Sequence, residues 1–340
     1  MKATAAASDT QTASADSDEA ARFVHRAYGI CGSARTIACE RDQIFHIASA
    51  DGREFLLKIF HSDESPDAIR LETAALLHIA ARDPALPVQH VIRTVAGATE
   101  AIFARVGEPP RIAKLLSYLP GALLASVPAT SPLRRQIGTM LARLDIALAG
   151  FAPEGIEREL IWDMQRATAL RPLLEHIDNA ELRALAAAAL EMFEQEKRRL
   201  DLLPKQAIHN DFNPYNILTD ARAPERIGGI IDFGDMVRAP RICDLAVAAS
   251  YHATDLSHLL ELVCAYHAVN ALTVNERALL FTLIRTRLAM SVTISGWRAK
   301  LYPENAAYIL RNTPSARAGL VYLAGLEPEA AQNALNEALR

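Results

Sequence analysis

Cysteine is scarce in this sequence, and so are aromatic residues. Four cysteines occur in 340 residues, Cys31, Cys39, Cys243 and Cys264, with no C-x-x-C pair and no Cys/His zinc spacing. A disulfide framework or a structural zinc is therefore not what organises the chain, and reduced, partly buried thiols of a cytoplasmic protein are expected. No run of about 18 apolar residues is present, so no transmembrane helix is expected. The first 20 residues have neither the apolar core of a secretory signal nor the arginines of a transit peptide. Rich in Ala, Ser, Thr and Asp, residues 1–20 read as a disordered tail. Charge of one sign is also lacking: 36 Lys and Arg stand against 40 Asp and Glu, a formal net charge of -4. That balance, mixed along the chain, argues against a nucleic acid partner, and no membrane partner is expected either. The absence of G-x-x-x-x-G-K-[ST] excludes Walker-type NTPases.

What is present is a chain that is 51% hydrophobic and 22% charged, long enough for two domains or one bilobal unit. Residues 28–60 read as three strands, the last two joined by an Asp51-Gly52 turn suited to a hairpin. In the third, Phe55, Leu57 and Ile59 share one face, while Leu56, Lys58 and Phe60 share the other. Lys58 thus sits on a mainly apolar surface, either snorkelling to water or aimed at phosphates. Ser65-Pro66-Asp67 then starts a helix. Its apolar stripe of Ile69, Leu76 and Ile79 also carries Glu72, a carboxylate that needs a cation if it is desolvated. Lys58 is the obvious candidate.

Two short strands are expected around Val91-Ile92 and Glu100–Phe103. RIAKLLSYLPG then runs into Pro120-Gly121, a strand followed by a hinge, where backbone groups of Ser117 and Leu119 could meet a base. From residue 131 the chain turns helical. Ile137, Met140, Leu141, Leu144 and Leu148 repeat at helical spacing, as do Leu170, Leu173, Leu174 and Ile177. Residues 181–200 are strong helix formers. Further helices are expected near 242–252, 256–269, 275–296, 303–311, 314–324 and 328–339.

The chemistry concentrates in residues 208–235. His209, Asp211 and Asn216 form H-x-D-x-x-x-x-N, the catalytic-loop spacing of protein kinases, in which the Asp accepts the proton of the attacking hydroxyl and the Asn holds a metal ion. Sixteen residues on, Asp232 ends the apolar run from Ile227 to Ile231, which reads as a strand. A carboxylate and an amide oxygen from adjacent segments suit a hard cation such as Mg2+, with phosphate oxygens completing its shell.

HNDFNPYNIL and IIDFGD, preceded by Lys58, Glu72 and LLSYLPG, resemble the aminoglycoside phosphotransferase/choline kinase superfamily over about residues 25–325. DFGDM with Arg238, Pro240 and Asp244-Leu245-Ala246, together with CERDQIFHI and Ile161-Trp162-Asp163, resembles its hydroxylysine kinase branch. The resemblance implies an α+β, bilobal, protein-kinase-like fold. A small N-terminal antiparallel sheet plus helix (21–116) would bind nucleotide. A hinge (117–121) and a larger, mainly helical lobe (122–340) would follow, with the catalytic loop at 208–218 and the metal-binding segment at 230–235. It further implies Asp211 as base, Asn216 and Asp232 on Mg2+, and Lys58 on the α/β-phosphates of ATP or GTP, paired with Glu72. His209 would brace the loop and Asp244 would tie it to the helical lobe. Glu40-Arg41-Asp42-Gln43 stands where protein kinases carry a glycine-rich phosphate cover.

The acceptor implied is a small hydroxyl-bearing molecule, cationic or zwitterionic, with 5-hydroxylysine the best match. Candidate partners are Trp162, Asp163, Asp235, Arg238, Tyr251, Arg285, Arg287 and Trp297, because aromatic faces hold cations and Arg clamps carboxylates. Arg285 and Arg287, spaced i, i+2, do not share a helix face and are not expected to meet one ligand together. A sibling kinase for homoserine, choline or ethanolamine, a sugar or an aminoglycoside is the alternative. For an aminoglycoside an acidic lining is expected, and Glu154, Glu157, Glu159 and Asp163 read either as that lining or as a solvated face. A nucleotide-binding regulatory protein without turnover is the reading from another class; the full set of Lys58, Glu72, Asp211, Asn216 and Asp232 argues against it.

Overall fold

A computed structural model describes residues 15–39 and 41–340, so most of the expected tail and Glu40 lie outside the described residues. The chain divides into two compact units: the residues up to Ala80 with Val88–Leu119, and Ala81–Pro87 with Pro120–Arg340.

The first unit opens with α1 (Ser17–Tyr28), so residues 17–20, expected in the tail, are its first turn. The reason is a capping box: Glu19 N–H donates to Asp16 Oδ1 at 2.7 Å, and Asp16 N–H donates to Glu19 Oε2 at 3.1 Å. Strands β1 (Gly32–Ile37), β2 (Gln43–Ser49) and β3 (Glu54–Ile59) form an antiparallel meander. Gly52 takes φ 85° in the turn between the last two, a left-handed conformation that glycine adopts without strain. After α2 (Pro66–Arg82) come β4 (Val91–Ile92), β5 (Ala101–Phe103) and β6 (Arg111–Ser117). The sheet order is β1-β2-β3-β6-β4, with β5 also paired to β6. Phe45, Ile47, Phe55, Leu57, Ile59, Ala113 and Leu115 are buried in one core with Ala20, Phe23 and Val24 of α1. Each such aliphatic or aromatic side chain contributes about 1.5–3 kcal/mol when fully buried. The two-residue strand period turns Lys58 and Lys114 to the opposite face, where they are direct cross-strand partners.

The second unit is mainly helical. Thr130 caps α3 (Ser131–Leu148) and Asn179 caps α4 (Ala180–Asp201). Between them, Met164–His176 winds as successive 3-10 turns. The leucine spacing there predicts a regular α-helix, but Pro172 sits inside the segment and supplies no backbone N–H. Strands β7 (Lys205–Ile208), β8 (Ile217–Thr219), β9 (Ile227–Ile230) and β10 (Val237–Pro240) form two antiparallel ladders, β7 with β10 and β8 with β9. Then follow α5 (Ile242–Ser250), α6 (Leu256–Val269), α7 (Val274–Leu301), the one-turn α8 (Ala306–Ile309), α9 (Thr313–Ala324) and α10 (Pro328–Ala338).

Helices α3 and α6 approach closely at Gly138, where a Cβ would run into the Leu262 carbonyl oxygen. Helix α7 is the axis of this unit and touches α4, α5 and α9. Helix α7 is long and apolar enough to cross a membrane by length and composition alone. Of that apolar window, 78% is buried inside the protein, so its side chains serve as core.

Candidate active site

The segment between β7 and β8 is held from below by Asp244 of α5. His209 N–H donates to Asp244 Oδ2 and Asn210 N–H to Oδ1, both at 2.8 Å, so both carboxylate oxygens of this fully buried residue are used. Asn210 (φ 66°) and Asp232 (φ 63°) are the two non-glycine residues with positive φ among those described. Asn and Asp tolerate this region better than other side chains, and each residue lies at the bend of one of the two functional segments.

His209 joins those segments. Its Nδ1 accepts from Asp211 N–H at 3.3 Å, which places the proton on Nε2, and Nε2 donates to the Ile231 carbonyl at 3.2 Å. The ring packs edge-on to Phe212 and lies against Phe233, at 5.8 and 4.8 Å between centroids. Burial, outweighing the pull of Asp244 and Asp232, lowers its pKa and keeps the ring neutral.

Asn216 Nδ2 donates to Asp211 Oδ2 at 2.8 Å and to the Asp211 carbonyl at 3.0 Å. Both amide hydrogens being spent on Asp211, the amide oxygen faces away from it. Ile231 N–H donates to the Asn216 carbonyl at 3.0 Å, which brings Asp232 alongside Asn216. Asp232 is exposed, and its Oδ1 accepts from Gly234 N–H at 3.3 Å. An exposed carboxylate and an amide oxygen turned from Asp211, on adjacent segments, are hard-oxygen donors of the kind that fits Mg2+. Burial raises the pKa of Asp211, against the pull of Arg287, Asn213 and Asn216.

Arg287, rather than Arg285, reaches this centre. Its Nη2 lies 3.2 Å from Asp211 Oδ1, and its guanidinium stands 4.8 Å from the Trp162 ring centroid. Tyr251 lies close enough for the Arg287 charge to oppose the burial that raises the pKa of its hydroxyl. Arg285 instead turns away, donating to the Leu323 carbonyl at 2.5 Å, with the Met192 sulfur at 3.9 Å. Trp297 lies ten residues further along α7, about 15 Å, and is not brought to Asp211. Asp163 is buried as the cap of the 3-10 segment, accepting from Gln165 N–H at 3.0 Å. Arg238 is exposed and paired with Glu157 at 3.1 Å. Asp235 is crowded rather than sealed off. Burial first, then the neighbouring charges of Asp211 and Asp232, push its pKa up to about 7 against Arg158 and Arg287.

Glu157, Glu159 and Asp163 do line a polar hollow of about 270 Å³, but Arg158, Arg166, Lys205 and Arg238 line it too. Its charge is therefore not the acidic lining expected for a polycationic acceptor. Arg158, which carried no signal in the sequence, donates to the carbonyls of Met236 (2.9 Å) and Gly234 and so pins the segment after Asp232.

In the first unit, Lys58 Nζ lies 3.7 Å from Glu72 Oε1 and 3.5 Å from Asp42 Oδ2. Glu72 has a second cation that the sequence reading missed. Lys114, 0% exposed, donates to Glu72 Oε2 at 3.3 Å and to the Ile69 carbonyl at 2.7 Å. Like charges directly across a strand pair repel, and Glu72 between the two lysines resolves the conflict. The Phe60 ring adds a cation–π contact to each, at 4.6 and 5.0 Å. The Ser117 N–H is spent on the His90 carbonyl at 2.8 Å, which leaves Ser117 only its carbonyl, itself 3.4 Å from Gln89 Nε2, to offer a base.

The sequence profile of the phosphotransferase enzyme family matches residues 38–277. The chain belongs to that family. This phosphotransferase is 28% identical over 320 residues to hydroxylysine kinase of Danio rerio, covering 89% of each chain. In structure it is similar to a microcompartment-associated aminopropanol kinase, with a TM-score of 0.64, 19% identity, and 94% and 98% of the two chains covered. It is similar also to an amicoumacin kinase solved in complex with AMP-PNP, Ca2+ and Ami, with a TM-score of 0.67, 13% identity, and 93% and 97% covered. The fold is thus protein-kinase-like.

Proposed function

We propose that this phosphotransferase moves the γ-phosphoryl group of ATP or GTP, with Mg2+, to the hydroxyl of a small zwitterionic amino alcohol, 5-hydroxylysine first among them. The observation that carries the reading is the joining of Asp211, Asn216 and Asp232 by the His209 ring and the Ile231–Asn216 bond. The full-length similarity to hydroxylysine kinase supports the acceptor.

Asp211 orients the acceptor hydroxyl and takes its proton. A bond forms between that oxygen and the γ-phosphorus, while the bond to the β,γ-bridging oxygen breaks, releasing nucleoside diphosphate. Such a transition state is loose, so the protein contributes mainly position and charge. Asn216 and Asp232 would hold Mg2+, which when bound neutralises phosphate charge. Lys58, paired with Glu72, contacts the α/β-phosphates, and the Ser117 carbonyl and Leu119 meet the base. His209 and Asp244 support the loop without touching substrate. The free state of all four cysteines fits a cytoplasmic protein.

The test is nucleoside diphosphate release from ATP and GTP with 5-hydroxylysine, homoserine, ethanolamine, choline, hexosamines and kanamycin. Asp211→Asn serves as control. Release that requires 5-hydroxylysine and disappears in the control is the expected result. Release with another acceptor alone would discard 5-hydroxylysine, and no acceptor-dependent release with nucleotide still bound would favour a binding protein.

A further inference from the structure

The identity of the acceptor, taken on the phosphotransferase reading above, turns on Arg287. This arginine lies mid-way along α7, where Ile284, Leu288, Ala289 and Met290 are buried and apolar. Its side chain is 3% exposed. A guanidinium carries five N–H donors in a planar fork that matches a carboxylate with two parallel bonds. Arg287 uses that fork incompletely. Nη2 makes one bond to Asp211, Nη1 reaches the Trp162 carbonyl only at 3.5 Å, and the buried Nε–H has no acceptor among the described residues. The Trp162 ring supports the guanidinium through a cation–π contact.

A buried cation with a donor to spare, beside the residue that would receive the hydroxyl proton, is poorly placed for a polycationic acceptor. It is well placed for an anion. We propose that Arg287, backed by Trp162, receives the carboxylate of the acceptor, so that the substrate class is a hydroxy amino acid rather than a decarboxylated amino alcohol or an aminoglycoside. Asp211 is then shared between the acceptor hydroxyl and one guanidinium nitrogen, while the other donors of Arg287 hold the acid end of the same molecule.

A rival role for Arg287 is to hold Asp211 ionised and nothing more. Matched acceptors separate the two. 5-Hydroxylysine would be compared with its decarboxylated counterpart, and homoserine with 3-aminopropanol, using Mg-ATP and Mg-GTP, in the wild type, Arg287→Gln and Arg287→Lys. The expected result is a preference for the acid of at least one pair of about tenfold or more in kcat/KM, carried mainly by KM. Arg287→Gln should erase that preference and Arg287→Lys should keep part of it, because lysine offers charge without the fork. Equal use of acid and decarboxylated partner by the wild type overturns the proposal and leaves the kinase reading intact. So does a preference that survives Arg287→Gln, or a fall in kcat equal for both partners. If Arg287→Gln does not fold, the wild-type ratio decides. No transfer to any of the four acceptors rejects the amino alcohol reading itself, and this proposal with it.

Discussion

Lys114 donates to Glu72 at 3.3 Å from a position with no solvent exposure, closer than the 3.7 Å that separates Glu72 from Lys58. Glu72 therefore has one permanent cation in the sheet and a second, Lys58, that also faces Asp42 and can exchange partners. Burial alone would raise the pKa of Glu72, but Lys58 and Lys114 more than offset it and hold it below its ordinary value.

Removing Lys114 should expose that dependence. Lys114→Met leaves a buried carboxylate with the more distant lysine, at a cost of about 3 kcal/mol. The double variant Lys114→Met/Glu72→Met should recover most of this, because replacing a buried pair by apolar groups is close to neutral. Urea unfolding of the wild type, the two single variants and the double variant closes the cycle. The pH dependence follows from the sign of the shift. A carboxylate with a depressed folded pKa stabilises above its unfolded value and loses that stability as pH falls through the folded one. Wild type should thus lose stability below about pH 4.5 by more than Glu72→Gln does. Equal stability of Lys114→Met and wild type would remove Lys114 from this role.

Asp211→Asn should cost turnover and spare nucleotide. The amide keeps an oxygen for Asn216 or Arg287 but cannot take a proton, and general-base help is worth about 10^2 to 10^4-fold in rate. Steady-state rates, read beside nucleotide affinity by displacement of a fluorescent analogue, separate the two effects. Near-normal turnover would move the base elsewhere.

What could be read from the sequence, and what could not, has a physical pattern. The spacing His209, Asp211, Asn216 and then Asp232 was legible because four side chains must converge through two short ladders, which fixes their separation along the chain. Lys58 and Glu72 were legible as a conflict of charge on apolar faces. Lys114 was not, since a single lysine in a strand normally snorkels to water, and only the register that puts it opposite Lys58 reveals a buried pair. Which of Arg285 and Arg287 faces the centre was not legible for a related reason. Helix α7 is buried on most sides, with polar residues among the buried ones, so its hydrophobic pattern carries no phase to say which arginine points to Asp211. The start of α1 was hidden by the Ala/Ser composition around it, although Asp16 and Glu19 already formed its cap signal.

The contact of α3 with α6 gives a prediction independent of chemistry. Gly138 has its backbone against Leu262, and an added methyl group would overlap the Leu262 carbonyl, part of a helix and unable to swing aside. Alanine is the better helix former by about 1 kcal/mol, so propensity alone would make Gly138→Ala stabilising. Overpacking costs about 1–3 kcal/mol and should win. A lower urea midpoint for Gly138→Ala is the expected result, and a raised one would mean that the two helices can move apart freely.

Asp232→Ala tests the metal pair without relying on turnover. A ligand that binds only the folded state stabilises it by about 2.7 kcal/mol at a free concentration one hundred times its Kd. Mg-ATP at that ratio should raise the melting temperature of the wild type, and ATP with a chelator should raise it less. Asp232 offers its carboxylate to solvent on the segment that the Ile231–Asn216 bond holds next to Asn216, and its other visible duty is a 3.3 Å bond to Gly234 N–H. Losing that bond changes the segment little, because Arg158 still pins it through the carbonyls of Gly234 and Met236. Asp232→Ala should therefore melt close to the wild type without ligand and lose the extra shift that magnesium confers on ATP. It also relieves a left-handed residue of its carboxylate but not of its φ of 63°, so Asp232→Asn, which keeps the side chain's shape and its tolerance of that conformation, is the companion variant. Loss of the magnesium-dependent shift in both variants assigns it to the charge of Asp232, and its retention in both would take Asp232 out of the metal site.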